Sequence, residues 1–184
     1  DLTIPQYVYR LGYFFNDKYG IEINFDHVKY VMNDYQTLRV KGTIHGKYID
    51  KDTTISPVDF LRFEHTDGAN FLMLNFMRRL QLFQSKNNKH KLSAIGKIGG
   101  GIVIPRTDVT LFGNRVDNRF HIAGYCAGTE VGIRYEAYKY FFMEYTGKGV
   151  FANYTKVLTV GSGEAHHYFW TFENILVLGV QIPF

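Results

Sequence analysis

The last ten residues, Ile175 to Phe184, read ILVLGVQIPF. Leu176, Leu178, Val180, Ile182 and Phe184 are large and apolar and occupy every second position, with Val177, Gly179, Gln181 and Pro183 between them. Side chains of a strand point alternately to opposite faces, so this stripe is one face of a strand. It is about as long as a tilted strand needs to be to cross a bilayer core. Such a chain has one oily face and one mixed face, and the fold must find a different solvent for each.

The same period recurs upstream. Tyr7, Tyr9, Leu11, Tyr13 and Phe15 alternate with Arg10 and Gly12, and Ile21, Ile23 and Phe25 alternate with Glu22, Asn24 and Asp26. Further strand-like stretches run from Val58 to Phe83, Leu92 to Ile104, Phe120 to Tyr135, Phe141 to Phe151 and His166 to Phe184. Short turns at Asn16-Asp17-Lys18, at Ser85 to His90 and near Tyr138 alternate with long polar loops over Asn33 to Ser56 and Arg106 to Asn118. Asp67-Gly68 is a hairpin signal inside the third stretch. Splitting there gives eight strands but puts a loop of more than twenty residues among the short turns, so we read one long strand and count seven. No linker, repeat or composition shift divides the chain, and residues 1–184 read as one domain.

Composition closes other routes. No apolar run approaches the length of a spanning helix, while aromatic residues at 17%, 18 Gly and only 4 Pro favour strands. The net charge is +4, but Lys and Arg are interleaved with acids, as in Glu130, Arg134 and Glu136, and form no basic stripe for nucleic acid. The single Cys126 excludes an internal disulfide. A start at Asp1 without Met fits a trimmed, exported chain.

Strands of globular proteins average five or six residues, and these run to about ten or more, in the range of membrane barrels. Tyr, Phe and Trp gather near strand ends, at Tyr7, Tyr9, Tyr13 and Phe15 and at Tyr168, Phe169 and Trp170, as suits a lipid-water interface. The expected fold is all-β: an antiparallel up-and-down transmembrane β-barrel of about eight strands. Bacterial single-chain barrels have even strand counts, so one strand is expected before Asp1. The terminal segment ILVLGVQIPF resembles the C-terminal signature of bacterial outer-membrane β-barrel proteins, and the architecture is similar to that of small barrels of the OmpW, OmpA and PagL kind. The resemblance implies a Gram-negative outer membrane, recognition of the terminal stripe by the barrel-assembly machinery, Phe184 at the periplasmic face and the long loops outside.

Strand parity then assigns a lumen face holding Arg10, Glu22, Arg62, Glu64, Lys97, Glu130, Arg134, Glu136, Glu144, Lys148 and Glu173. A barrel of about eight strands is just wide enough for side chains to fill it, so these charges read as a paired plug in preference to the lining of a pore. Arg62-Phe63-Glu64-His65-Thr66-Asp67-Gly68 resembles the His-x-Ser motif of the PagL-type lipid A deacylases, which implies His65 as a base pointing outward with Phe63. Asp67 stands where the serine belongs, and Thr66 faces the other way. His166-His167 point to opposite faces and suit no common metal ion. Asp50, Asp52 and Thr54 resemble a calcium loop without its Gly and distal Glu, and Gly99-Gly100-Gly101 reads as barrel packing or a bend. No metal and no cofactor is expected. Arg39, Lys41, Lys47, Arg106, Arg115 and Arg119 lie in the outer loops, with Arg106, Arg115 and Arg119 the expected lipopolysaccharide contacts. The expected role is a structural or accessory outer-membrane protein, alone or as a subunit of a larger assembly. The alternatives are a lipid A-modifying hydrolase and a narrow, porin-like channel.

Overall fold

The computed structural model describes residues 6–182, and among them there is no helix. Phe184, the anchor of the terminal stripe, lies outside the described residues. Seven strands, β1 (Val8–Phe14), β2 (Tyr19–Asp26), β7 (Phe71–Gln84), β8 (His90–Val103), β11 (Gly124–Ala137), β12 (Phe141–Leu158) and β13 (Glu164–Val180), form one antiparallel sheet in the order β1-β2-β7-β8-β11-β12-β13. Each neighbour pair is joined at one end by a short turn, or at the other by a longer connection. The molecule therefore has a turn end and a loop end.

The loop end carries strands of its own. β3 (Tyr30–Val31), β6 (Leu61–His65), β9 (Asp108–Leu111) and β10 (Asn114–Asp117) make a four-stranded sheet, and β4 (Thr37–Ile44) and β5 (Lys47–Thr54) make a hairpin. The single strand expected over Val58 to Phe83 is therefore two strands in two sheets. The chain breaks at Gly68, whose φ of 138° suits glycine alone and where a Cβ would run into Asn70. Both segments alternate, so period alone could not reveal the corner. The supposed loops 33–56 and 106–118 fold into the β4–β5 and β9–β10 hairpins.

The seven-stranded sheet curls until its concave face meets itself. Arg10 on β1 donates from Nη1 to Glu130 of β11 at 2.6 Å, and Lys148 of β12 pairs with Asp26 of β2. Glycines allow this curl: a Cβ on Gly99 or Gly101 would collide with the backbone oxygens of Leu74 and Leu72 on the adjacent strand.

Polarity on this sheet is inverted relative to a globular protein. On the convex face Leu11 is 76% exposed, Trp170 75% and Leu178 75%. On the concave face Lys97 is 4% exposed, Glu144 2% and Lys148 1%. A second, apolar zone fills the interior at the loop end, where Phe71, Met73, Val103, Val150, Ala152 and Tyr154 pack under Phe63 and Val109 of the four-stranded sheet. The edge strands β1 and β13 run in the same direction, because they are the first and last of seven successive antiparallel strands.

Candidate functional site

The concave face gathers most of the charged residues singled out by parity. The Lys97 ammonium donates to Glu22 at 2.8 Å and to Glu144 at 2.6 Å, and lies 3.3 Å from Glu130. The Arg10 guanidinium reaches the same three carboxylates, at 2.6 Å from Glu130, 3.4 Å from Glu144 and 3.6 Å from Glu22. Arg134 extends the network from Glu144 to Glu136, at 3.3 Å from each, and lies over the Phe142 ring. Arg79 closes the chain on Glu136 at 2.6 Å.

Four cations thus face four carboxylates, and Lys148 with Asp26 adds a balanced pair. Charges held out of water need such partners, because the desolvation cost exceeds what a single imperfect pair returns. Among the described residues Glu173 has no ion pair, and its Oε1 is buried without a hydrogen-bond partner, as are Asp26 Oδ1 and Glu130 Oε2. Arg10 likewise leaves Nε and Nη2 unpartnered. Glu173 and Arg10 sit on β13 and β1, the two edges of the sheet, whereas Asp26 and Glu130 lie on the interior strands β2 and β11.

Asp26 and Arg79 belong to this network although sequence reasoning did not select them. Asp26 shares the period-two face of Glu22, so the signal was present. Arg79 was obscured by the assumption of one unbroken strand. Arg62 and Glu64 are corrections of the opposite kind. They lie on β6 in the four-stranded sheet, where Arg62 bonds Glu64 at 3.1 Å with its side chain about half exposed, and they take no part in the concave-face network.

His65 also departs from expectation. It does not point outward: it is fully buried beneath the four-stranded sheet, between the Tyr154 and Phe63 rings. Its Nδ1 lies 3.0 Å from Thr107 Oγ1 and its Nε2 lies 2.9 Å from Nε2 of His167. If Thr107 donates its hydroxyl proton, His65 must carry hydrogen on Nε2 and donate to His167; reversing His167 reverses both bonds. Burial pushes the His65 imidazole down to about 3, and His167 and His121 add to the effect. The His65 ring therefore stays neutral near pH 7.

The hydroxyl within reach of His65 is thus Thr107, 42 residues away, and not Thr66. Asp67 instead pairs with Arg106 at 3.1 Å. Thr107 and His65 are both fully buried, so the hydroxyl–imidazole pair is enclosed, and the His65–His167 contact ties β6 of the loop-end sheet to β13 of the main sheet.

The outer arginines are largely engaged with their own loops. Arg106 also pairs with Asp117, and Arg115 forks onto Asp108, whose carboxyl its hydrogen bond holds below the usual range. Arg119 is exposed. On the β4–β5 hairpin Asp50 bonds Arg39 at 2.8 Å and Asp52 lies 3.7 Å from it, so Arg39 occupies the aspartates that resembled a calcium loop. Among the described residues no group of three or more His, Cys, Asp or Glu side chains is arranged to hold a metal ion.

These features come from the chain alone: comparison with protein-family models, with curated proteins and with solved structures finds no match.

Proposed function

We propose that this chain is an integral outer-membrane β-barrel with a structural or accessory role, a stable membrane-embedded shell able to serve as a subunit of a larger assembly. The observation that carries the reading is the inverted polarity of the main sheet, with Leu11, Val131 and Leu178 exposed and Lys97, Glu144 and Lys148 buried. In water this arrangement forfeits the hydrophobic term on one face and incurs desolvation on the other. In a bilayer the oily face is solvated by lipid and the paired charges are sheltered.

The dimensions agree with that solvent. Exposed Tyr125 and Tyr135 mark the two ends of β11, about 33 Å apart along a strand rising about 3.3 Å per residue. At a tilt near 45° this spans about 23 Å, close to the apolar band of outer-membrane barrels. On this reading one more strand, antiparallel to both β1 and β13 and supplied from outside the described residues, closes the barrel into eight. It brings polar partners to Glu173 and Arg10. Lipid cannot satisfy open strand edges, which is the physical demand for closure.

The ion network and the apolar zone at the loop end both fill the interior, which favours a plugged shell over a conducting pore. The partners implied are the membrane lipids, lipopolysaccharide at the exposed Arg119 side of the loop end, and the machinery that inserts barrels.

The test is fractionation of cells expressing the full chain, followed by electrophoresis with and without boiling. Recovery in outer membranes after a high-salt wash, with faster migration of the unboiled protein, is the expected result. Release of the protein by salt in soluble form would overturn the reading.

A further inference from the structure

The excess positive charge of the chain is confined to one end. Near the loop end, cations and carboxylates are similar in number, and Arg39, Arg62, Arg106, Arg115 and Lys156 each pair with a carboxylate. At the turn end, Lys18, Lys86, Lys89, Lys91 and Lys139 stand against only two acids, Asp17 and Glu136. Glu136 is already taken by Arg79 at 2.6 Å, by Arg134 and by the Gln181 amide at 3.2 Å. None of the five lysines has a carboxylate within ion-pair distance among the described residues.

Three of these lysines surround a cavity. Lys89, Lys91 and Lys139, with Gln84, Asn88 and Gln181, line a space of about 310 Å³ at the turn-end mouth of the curled sheet, with Glu136 at its inner side. Lys139 is held there at a backbone cost: it and Tyr138 have φ of 70° and 54° in the β11–β12 turn, positions that glycine or asparagine occupy with less strain. Residues flanking that same turn, Ala137 and Phe141, line a second cleft on the convex face with Tyr135, Met143 and Leu178. A basic cup and an apolar cleft therefore meet across one three-residue turn, and an anionic head joined to an acyl chain is the ligand chemistry that fits both.

We propose that the turn end is a binding site for an anionic glycerophospholipid of the surrounding leaflet, with its phosphate held by Lys89, Lys91 and Lys139 and an acyl chain in the Tyr135–Leu178 cleft. The inference rests on the membrane reading above. A lysine at a membrane surface favours anionic lipid about fivefold, so three acting together select such a lipid strongly over a zwitterionic one.

The full chain is reconstituted in bilayers of phosphatidylcholine with a minority of phosphatidylglycerol and then extracted gently, and the retained lipids are quantified by mass spectrometry. Wild type should retain phosphatidylglycerol at least about fivefold above its bulk share. The triple variant K89Q/K91Q/K139Q should fall to the bulk share, while K89R/K91R/K139R and the loop-end control K47Q/K51Q should keep the enrichment. All three lysines are at the surface or partly so, and correct assembly of each variant is checked by its unboiled migration. Failure of wild type to insert into any bilayer would overturn the membrane reading itself. Insertion with no enrichment, or equal enrichment in the triple variant, would overturn this inference alone. Displacement of the lipid by inorganic phosphate, with phosphate binding in detergent without lipid, would overturn the lipid in favour of a soluble phosphate ligand.

Discussion

The two halves of the interior solve the same problem by opposite means. Toward the turn end the space between strands is filled by ions: Arg10 and Lys97 share Glu22, Glu130 and Glu144. Toward the loop end it is filled by Phe71, Met73, Val103, Val150 and Tyr154, as in a water-soluble core. The boundary follows the environment. Where the outer surface is oily, polar side chains have only the interior to face. Where the strands rise to meet β3, β6, β9 and β10, a second sheet supplies apolar partners, and the inside of the main sheet becomes oily in turn. The lesson is that a sheet of inverted polarity reverts to ordinary packing where its strands are covered by their own chain.

The largest effect that would test this contrast comes from the ionic half. Lys97→Met leaves three carboxylates facing only Arg10 and Arg134, and removing one partner from a buried set costs about 3–5 kcal/mol. Unfolding in denaturant from detergent or lipid should show that loss. Wild-type stability in the Lys97→Met protein would mean that the network is hydrated and weak.

The convex face comes next. Ile98 neighbours Lys97 but is 61% exposed, and Ile98→Lys should cost about 2–4 kcal/mol in a bilayer if the site is near its midplane. The same change in a water-soluble sheet would be nearly neutral. Adjacent residues, one demanding charge and the other rejecting it, make the sharpest available measurement of the inversion.

The pH dependence of the loop-end half follows from His65. Its folded value, about 3, lies below the ordinary 6.5, so the unfolded state binds the extra proton. Stability associated with this group is full above pH 6.5 and falls by about 1.4 kcal/mol per pH unit below it, down to about pH 3. The protection factors of the β6 amides, which are exchange rates corrected for the intrinsic pH dependence of amide exchange, should therefore fall between pH 7 and pH 5 in wild type and change less in His65→Asn. An identical pH response in both proteins would remove His65 as the pin between the sheets.

The smallest effect belongs to the β4–β5 hairpin. Arg39, with its side chain 60% exposed, pairs with Asp50, and Arg39→Ala should cost no more than about 1 kcal/mol. A larger loss would show that the hairpin is clamped by a partner.

Much of the fold and part of the site were legible in the chain. The order of seven long strands and the face occupied by Glu22, Lys97, Glu130, Glu144 and Lys148 followed from a strict two-residue period. That period is a local property: once a strand forms, adjacent side chains have no choice but opposite faces. Gly68 broke the inference, because a strand that turns a corner keeps its period on both sides, so Arg62, Glu64 and His65 were carried onto the wrong surface.

What only the tertiary structure decided was pairing over distance. Arg10 meets Glu130 across 120 positions and His65 meets His167 across 102, and no spacing rule links residues that far apart. Likewise the sequence contains both the arginines of the loop end and the lysines of the short turns. Which of them are neutralised depends on where Asp67, Asp108 and Asp117 come to lie in space. Alternation is set by the backbone one residue at a time, whereas neutralisation depends on separations of a few ångströms that exist only after the sheet has curled and its loops have closed over it.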